Sequence, residues 1–431
     1  MGVIKVLGLV LVTTVVGAAC TKTVNECNSD SDCKDVAYPF CDVNGEFAAS
    51  GGAKNVCTIV PPDCPIERCG CSPGATTCSS DQLSVCNSDG KSATLSACAL
   101  GCATTNDRCK TFVPSNGLNA ALVAAVGTSD VIIPDGSTLD TNTGMIFDPS
   151  HFPISVGSIV VTQTNGIDIR AYYALSFDLG SVTITGSKAV AFVATGPVTV
   201  SGLVTANARG HTPGAGATIS GACIGPTSSG NSVGGGGGNA TAGGRGVDTS
   251  NPTPVPGGDA QAGFGVLAGG CMGGGANGGG GGGAIQIDSL TKITVNPAVG
   301  ARRGILNVGG GGGGDGAGGG GSGGLVVLES PQVVIGGAIT ANGGGGGGGL
   351  NDPGADATPD GSTAFGGSNS QFLSYGGSGA TISSPVGDAY QGGAGGGALG
   401  RLYVKSADGT FSAAGSSLIS ATPVSSTLVI Q

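Results

Sequence analysis

The stretch VAFVATGPVTVSGLVTA, from Val190 to Ala206, decides the fold. Its apolar residues Val190, Phe192, Val198, Val200 and Val204 stand at offsets 0, 2, 8, 10 and 14. Alternation with period two marks short strands with one face turned inward, and Gly-Pro and Ser-Gly mark the bends between them. The same offsets counted from Ile285 select Ile287, Ile293, Val295 and Val299, and counted from Leu325 they select Val327, Val333, Ile335 and Ile339. A further copy from Leu402 keeps Val404 and slips by one residue to Phe411 and Ala413. Two or three very short strands per copy, with like residues at like positions, predict an all-β chain whose main part is a parallel β-helix of stacked coils. An antiparallel sandwich would share the short strands without requiring the repeated offsets. Upstream, Val131–Ile133 and Ser181–Thr185 read as further strands, and Leu118–Val126 as a short helix stopped by Gly127.

Between the copies lie glycine-rich inserts, roughly 209–283, 309–324 and 343–398, which leave the repeat at the same point and so emerge from one face. Runs of glycine bury no side chain and lose much entropy on ordering, so their default expectation is flexible coil. The alternative is that neighbouring runs pack as three-residue-per-turn helices and bond to each other through backbone groups.

Composition narrows the function. The chain has 431 residues, 89 of them glycine, with no tryptophan and only two histidines, which is unlike an ordinary globular enzyme. A net charge of −10 without any basic cluster excludes nucleic-acid binding as a leading reading.

Twelve cysteines crowd the 27–113 segment: Cys27, Cys33, Cys41, Cys57, Cys64, Cys69, Cys71, Cys78, Cys86, Cys98, Cys102 and Cys109. So many cysteines with few large apolar residues predict a small module held by disulfides rather than by a core. Cys223 and Cys271 sit in the longest insert, and their pairing would give it a defined shape. Zinc is a weak competitor, because the C-x₃-C pair Cys98 and Cys102 has no histidine near it in sequence.

The first nineteen residues read as a secretory signal: Lys5, then an apolar run from Val6 to Val16, which is shorter than the roughly 20 residues a membrane span needs. Gly17-Ala18-Ala19-Cys20 resembles the lipobox of bacterial lipoproteins, with Gly17 where that family has leucine. The resemblance implies lipid on Cys20, and Thr21 after it implies sorting to the outer membrane. Cysteine arithmetic agrees, since removing Cys20 from fifteen leaves an even fourteen to pair. Residues 20–26 would form the lipidated tether, 27–113 the disulfide module and 114–431 the β-helix domain. The text CSPGATTCSSDQLSVCNSDGKSATLSACALGC, Cys71 to Cys102, also resembles cysteine-rich modules of myxobacterial surface lipoproteins, for which no activity is implied.

Motifs that carry chemistry are sparse. Gly320-Gly321-Ser322-Gly323-Gly324 satisfies G-x-S-x-G, as any serine in polyglycine must, and a strand follows where a nucleophile elbow needs a helix. Asp315 in GGGGGDGA approximates one calcium-binding nonapeptide without the tandem partner such sites need. Asp352, Asp356 and Asp360 read as a solvated loop. Asp288 and Glu329, at offsets 3 and 4 of their copies, would serve as carboxylates of a polysaccharide-acting β-helix if they lay on an exposed strand face. No catalytic residue, cofactor or metal is assigned on this basis. The expectation is a non-enzymatic envelope lipoprotein with a structural or adhesive role, its partners being membrane lipid through Cys20 and an envelope polysaccharide or protein. The rivals are a carbohydrate-active enzyme and a calcium-stabilised binding module.

Overall fold

The computed structural model describes residues 27–28, 32–33, 40–44, 54–58, 74–88 and 92–431, apart from 165, 229–232, 250, 262, 264, 301, 350–351 and 370–372. Cys20 with the signal and tether, and Cys64, Cys69 and Cys71, lie outside the described residues. The chain is nearly all β and divides into two compact units, one of residues 1–78 with 83–96, the other of 79–82 with 97–431.

In the smaller unit, Phe40–Asp42 pairs antiparallel with Val56–Thr58, which sets Cys41 opposite Cys57. Each of the two takes a different partner, giving Cys27–Cys41 and Cys33–Cys57. These sulfurs are the buried cluster of the unit, so the cross-links also supply its packing. All eleven described cysteines are disulfide-bonded, including Cys98–Cys109 and Cys223–Cys271 in the larger unit.

The larger unit is built on three parallel sheets of seven, six and seven strands, which the chain visits in rotation. One circuit runs Ile169–Ala174, Phe177–Leu179, Val182–Thr185, and the next runs Ala189–Ala194, Val198–Val200, Leu203–Thr205. Two more follow as Ala284–Ser289, Lys292–Val295, Ile305–Asn307 and as Leu325–Glu329, Gln332–Ile335, Ala338–Thr340. A last one runs Arg401–Ser406, Ser412–Ala413, Leu418–Ser420, and Thr422–Thr427 then returns to the first sheet. Antiparallel strands, Gly157–Val161 and Met145–Phe147, close the other end of the first and third sheets.

Register shows why the repeat is legible. Val190, Ile285, Val326 and Leu402 stack in one column, and Phe192, Ile287, Leu328 and Val404 in another, all buried between the sheets. Tyr172 and Phe177 pack on Phe192 with ring centroids 5.8 and 5.5 Å away. Three residues depart from the sequence reading. In LVVLE, Val326 and Leu328 point inward, not Leu325 and Val327, because a run apolar on both faces carries no period. Val299 lies in an excursion before Ile305–Asn307 and is exposed, its place in the column being taken by Leu306.

The outer face of the first sheet is covered as well. Helix α1, Asn119–Ala124, together with Leu118 lays Leu118, Ala121 and Leu122 against Ile169, Ala171, Ala189, Ala191 and Val193. The three alanines keep that face low enough for a helix to approach. Just before it, Thr111–Val113 bonds antiparallel to Val429–Gln431, so both segments lie side by side.

Candidate functional site

The glycine inserts are not loose loops. They run from the third sheet back to the first and cross-bond with a three-residue period. Around the run 317–324, the N–H groups of Gly318, Gly321 and Gly324 donate to Gly314, Gly311 and Val308. Those of Gly319 and Ser322 donate to Gly274 and Cys271, and those of Gly320 and Gly323 to Gly395 and Ala398. Carbonyls of the same run accept with the same period: Gly318 and Gly321 from Gly347 and Gly344, Gly319 and Ser322 from Gly279 and Gly282, and Ala317 and Gly320 from Gly234 and Gly237. One central run thus bonds six stretches of chain, each through every third residue, as an extended helix with three residues per turn and no internal hydrogen bonds must.

Glycine is required here by proximity. A Cβ on Gly321 would stand 1.9 Å from the Gly280 carbonyl oxygen, and one on Gly323 would stand 1.7 Å from that of Ala341. The flexible-coil expectation therefore fails for a physical reason: without side chains, backbones approach closely enough to satisfy one another, and that offsets the ordering entropy. Ser322 is part of this lattice. Its hydroxyl is buried, accepts from the Cys271 N–H and donates to the Gly238 carbonyl, so the apparent nucleophile motif is a packing element. Asp356, expected in a solvated loop, accepts from the N–H groups of both Gly210 and Gly312 at 2.7 and 2.8 Å and so clamps the third insert to the first and the second. Asp360 caps its own turn, where the Thr358 hydroxyl and the Ser362 N–H hold its carboxyl below the usual range. Asp315 is exposed in a turn whose carbonyl accepts from Asn277.

Asp288 and Glu329 do come together. Asp288 pairs in register with Glu329, and Glu329 with Lys405, across three neighbouring strands of the first sheet. They face outward but are not on an open face, since both carboxyls are fully buried under the chain that leads into α1. Ser115 donates its N–H to Glu329 Oε2 at 2.8 Å, Lys405 Nζ lies 3.0 Å from Glu329 Oε1 and also donates to Ser115 Oγ. Asn116 Nδ2 donates to Gln286 Oε1, whose Nε2 in turn donates to both oxygens of Asp288 at 3.0 and 3.1 Å. Burial first, then the neighbouring Glu329, raises the Asp288 carboxyl well above the usual range, against the opposing pull of Gln286 and Lys405. One lysine thus faces two carboxyls, and burial with the neighbouring carboxyl disfavours charge on Asp288. A polysaccharide has no access to this pair.

A different place offers a binding surface. Where the third insert turns, Ser368–Asn369 and Ser374–Tyr375 form a small hairpin, and Tyr375 bonds antiparallel to Tyr390. One side of this ladder shows the exposed rings of Tyr375 and Tyr390, with centroids 6.4 Å apart. The other side borders a cleft of about 270 Å³ lined by Thr249, Asn369, Ser374 and Gln391 with the backbone of Gly349 and Gly392. The Ser374 hydroxyl is buried there with no hydrogen-bond partner among the described residues. Leu373 and Gln391 beside it hold positive φ angles of 54° and 41°, a strained state that clusters at functional positions. Among the described residues, no ionisable side chain lines this cleft. Sequence reasoning passed over these residues because they lie in a glycine-rich insert without apolar alternation, and only the pairing of 368–369 with 374–375 and of Tyr375 with Tyr390 brings them together.

No family model matches this chain, and no curated protein or solved structure is detectably similar to it.

Proposed function

We propose that the protein is an outer-membrane lipoprotein attached through Cys20, in which a parallel β-helix carries a rigid glycine bundle and presents a binding tip. Its role is structural or adhesive at the cell envelope, binding rather than turning over its partner. The observation that supports this most is the three-residue hydrogen-bond period of the inserts, because it gives glycine a purpose other than slack and holds the Ser374 cleft and the Tyr375–Tyr390 pair in fixed positions. Rigid presentation lowers the entropy cost of binding. The tip is rich in tyrosine, serine, glycine and asparagine, which combine low-entropy contact area with adaptable hydrogen bonding. Its uncharged lining suits a neutral, hydroxyl-bearing surface such as an envelope polysaccharide, or an uncharged patch of a protein.

The test is direct. Mass spectrometry of the mature N-terminus should find a diacylglyceryl group on Cys20, and Cys20→Ser should release the protein from the outer-membrane fraction. An unmodified terminus on a soluble protein would end the lipoprotein reading. Whole cells bearing the chain should retain neutral polysaccharide more than cells bearing Tyr390→Ala with Ser374→Val. Turnover of an acidic polysaccharide by the purified chain would overturn the non-catalytic reading.

A further inference from the structure

The cluster under Ser115 holds the parts of an amide-forming reaction. An amine and a carboxyl are 3.0 Å apart in register on adjacent strands, with a second carboxyl on the next strand. A donor already points at the electrophile, since the Ser115 N–H is 2.8 Å from Glu329 Oε2. The carboxyls are shut away from solvent, whereas the Lys405 side chain keeps 23% exposure, leaving a path by which water can depart.

We propose that Lys405 and Glu329 join in an intramolecular isopeptide bond, formed by the folded chain with Asp288 as the neighbouring acid. The bond that forms is Nζ of Lys405 to Cδ of Glu329, and the bond that breaks is one Cδ–O bond of the same carboxyl. An ammonium and a carboxylate become a secondary amide and one water, so the two hydrogens lost from nitrogen leave on the departing oxygen. No oxidant or co-reactant enters. Burial favours the first step, because a charged pair taken out of water is costly and transfer of the ammonium proton to the carboxylate removes both charges at once. The neutral amine is then the nucleophile. The Ser115 N–H stabilises negative charge developing on the carboxyl oxygen, as oxyanion donors do. Asp288, paired in register with Glu329 on the adjacent strand and buried so that its acid form is favoured, lends a proton to the leaving oxygen and recovers one from nitrogen, ending unchanged.

The sequence explains why this pair would react when most lysine–carboxylate neighbours do not. Ordinary surface pairs are hydrated and hydrolysis of their amide is as accessible as its formation, whereas this one is roofed by Ser115 and Asn116. A parallel sheet also holds the two strands in fixed register, which supplies the proximity that an intermolecular reaction lacks.

The experiment uses the full chain, expressed with its disulfides formed, then reduced and digested for mass spectrometry. The expected result is a branched peptide linking the segment that contains Glu329 to the one that contains Lys405, one water lighter than the sum of the two. Lys405→Arg keeps the charge but cannot form this amide, and it should yield two separate linear peptides. Asp288→Asn keeps size and burial and should leave most of the chain unlinked while the far-ultraviolet circular dichroism stays that of the wild type. Recovery of only linear peptides from folded wild-type chain would overturn the bond. A fully linked Asp288→Asn variant would overturn the part given to Asp288.

Discussion

The larger unit solves one packing problem in two ways. Between its sheets, columns such as Val190, Ile285, Val326 and Leu402 fill space with side chains, and apolar burial drives assembly. Among its inserts few side chains are buried, chiefly Val233, Val255, Ala317, Ala394 and Leu267, and most of the space is filled by drawing backbones together until N–H groups meet carbonyls of other runs. The first solution tolerates exchange of one apolar residue for another of similar size. The second admits a small side chain only at a place made for it, such as Ser322, and none at its neighbours Gly321 and Gly323, where a Cβ would fall within 1.9 Å of an oxygen. Density and hydrogen-bond satisfaction are thus the common requirement, and hydrophobicity is one route to them.

Mutations can break this contrast at graded cost. Phe192→Ala, which empties the ring cluster with Tyr172 and Phe177, should cost about 3–5 kcal/mol in denaturant unfolding. Gly321→Ala should cost about 1–3 kcal/mol or more by forcing runs apart, although it adds apolar surface and would be neutral if the inserts were coil. Hydrogen exchange sharpens that test, since amides of 318–324 should be protected in the wild type and lose protection in the variant. Asp356→Ala, which frees the Gly210 and Gly312 amides, should cost about 1–3 kcal/mol and loosen the inserts without altering the sheets. Gly415→Ala is the control: its Cβ would stand in open space, so a change within about 0.5 kcal/mol is expected.

The buried carboxyl gives the contrast a pH axis. Because the fold raises the Asp288 pKa, folded chain holds this proton more tightly than unfolded chain does. Its stabilising contribution is complete below the ordinary carboxylate range and is lost as the pH rises towards the raised value. Asp288→Asn should therefore flatten the stability profile above that range, as thermal melts across pH would record.

Much of the sheet region was legible because alternate residues face a shared core. Val190, Phe192, Val198 and Val200 carry the period in their own side chains. Legibility failed where both faces are covered, as at Leu325 and Val327, since they belong to an outer-face cluster with Leu267 and Tyr403 that buries what an open face would leave wet. It failed again for Asp288 and Glu329, whose cover at Ser115 lies 214 residues from Glu329 in sequence. Polyglycine was the hardest text of all: its order depends on which runs meet, and identical residues carry no address. Ser374, Tyr375 and Tyr390 were missed because the short pairings that bring them together leave no apolar period in the sequence.

The pairing of Thr111–Val113 with Val429–Gln431 has a mechanical consequence. A pull arriving along the chain from the cysteine-rich side reaches these short backbone bonds first and next the roof at Ser115 and Asn116, which is fastened to strands of the first sheet at Gln286, Glu329 and Lys405. Tension is thereby spread over several circuits of the sheet before it can peel any one of them. A molecule loaded in this way would resist drag at Thr111–Val113, where the load enters, before any circuit of the sheets gave way.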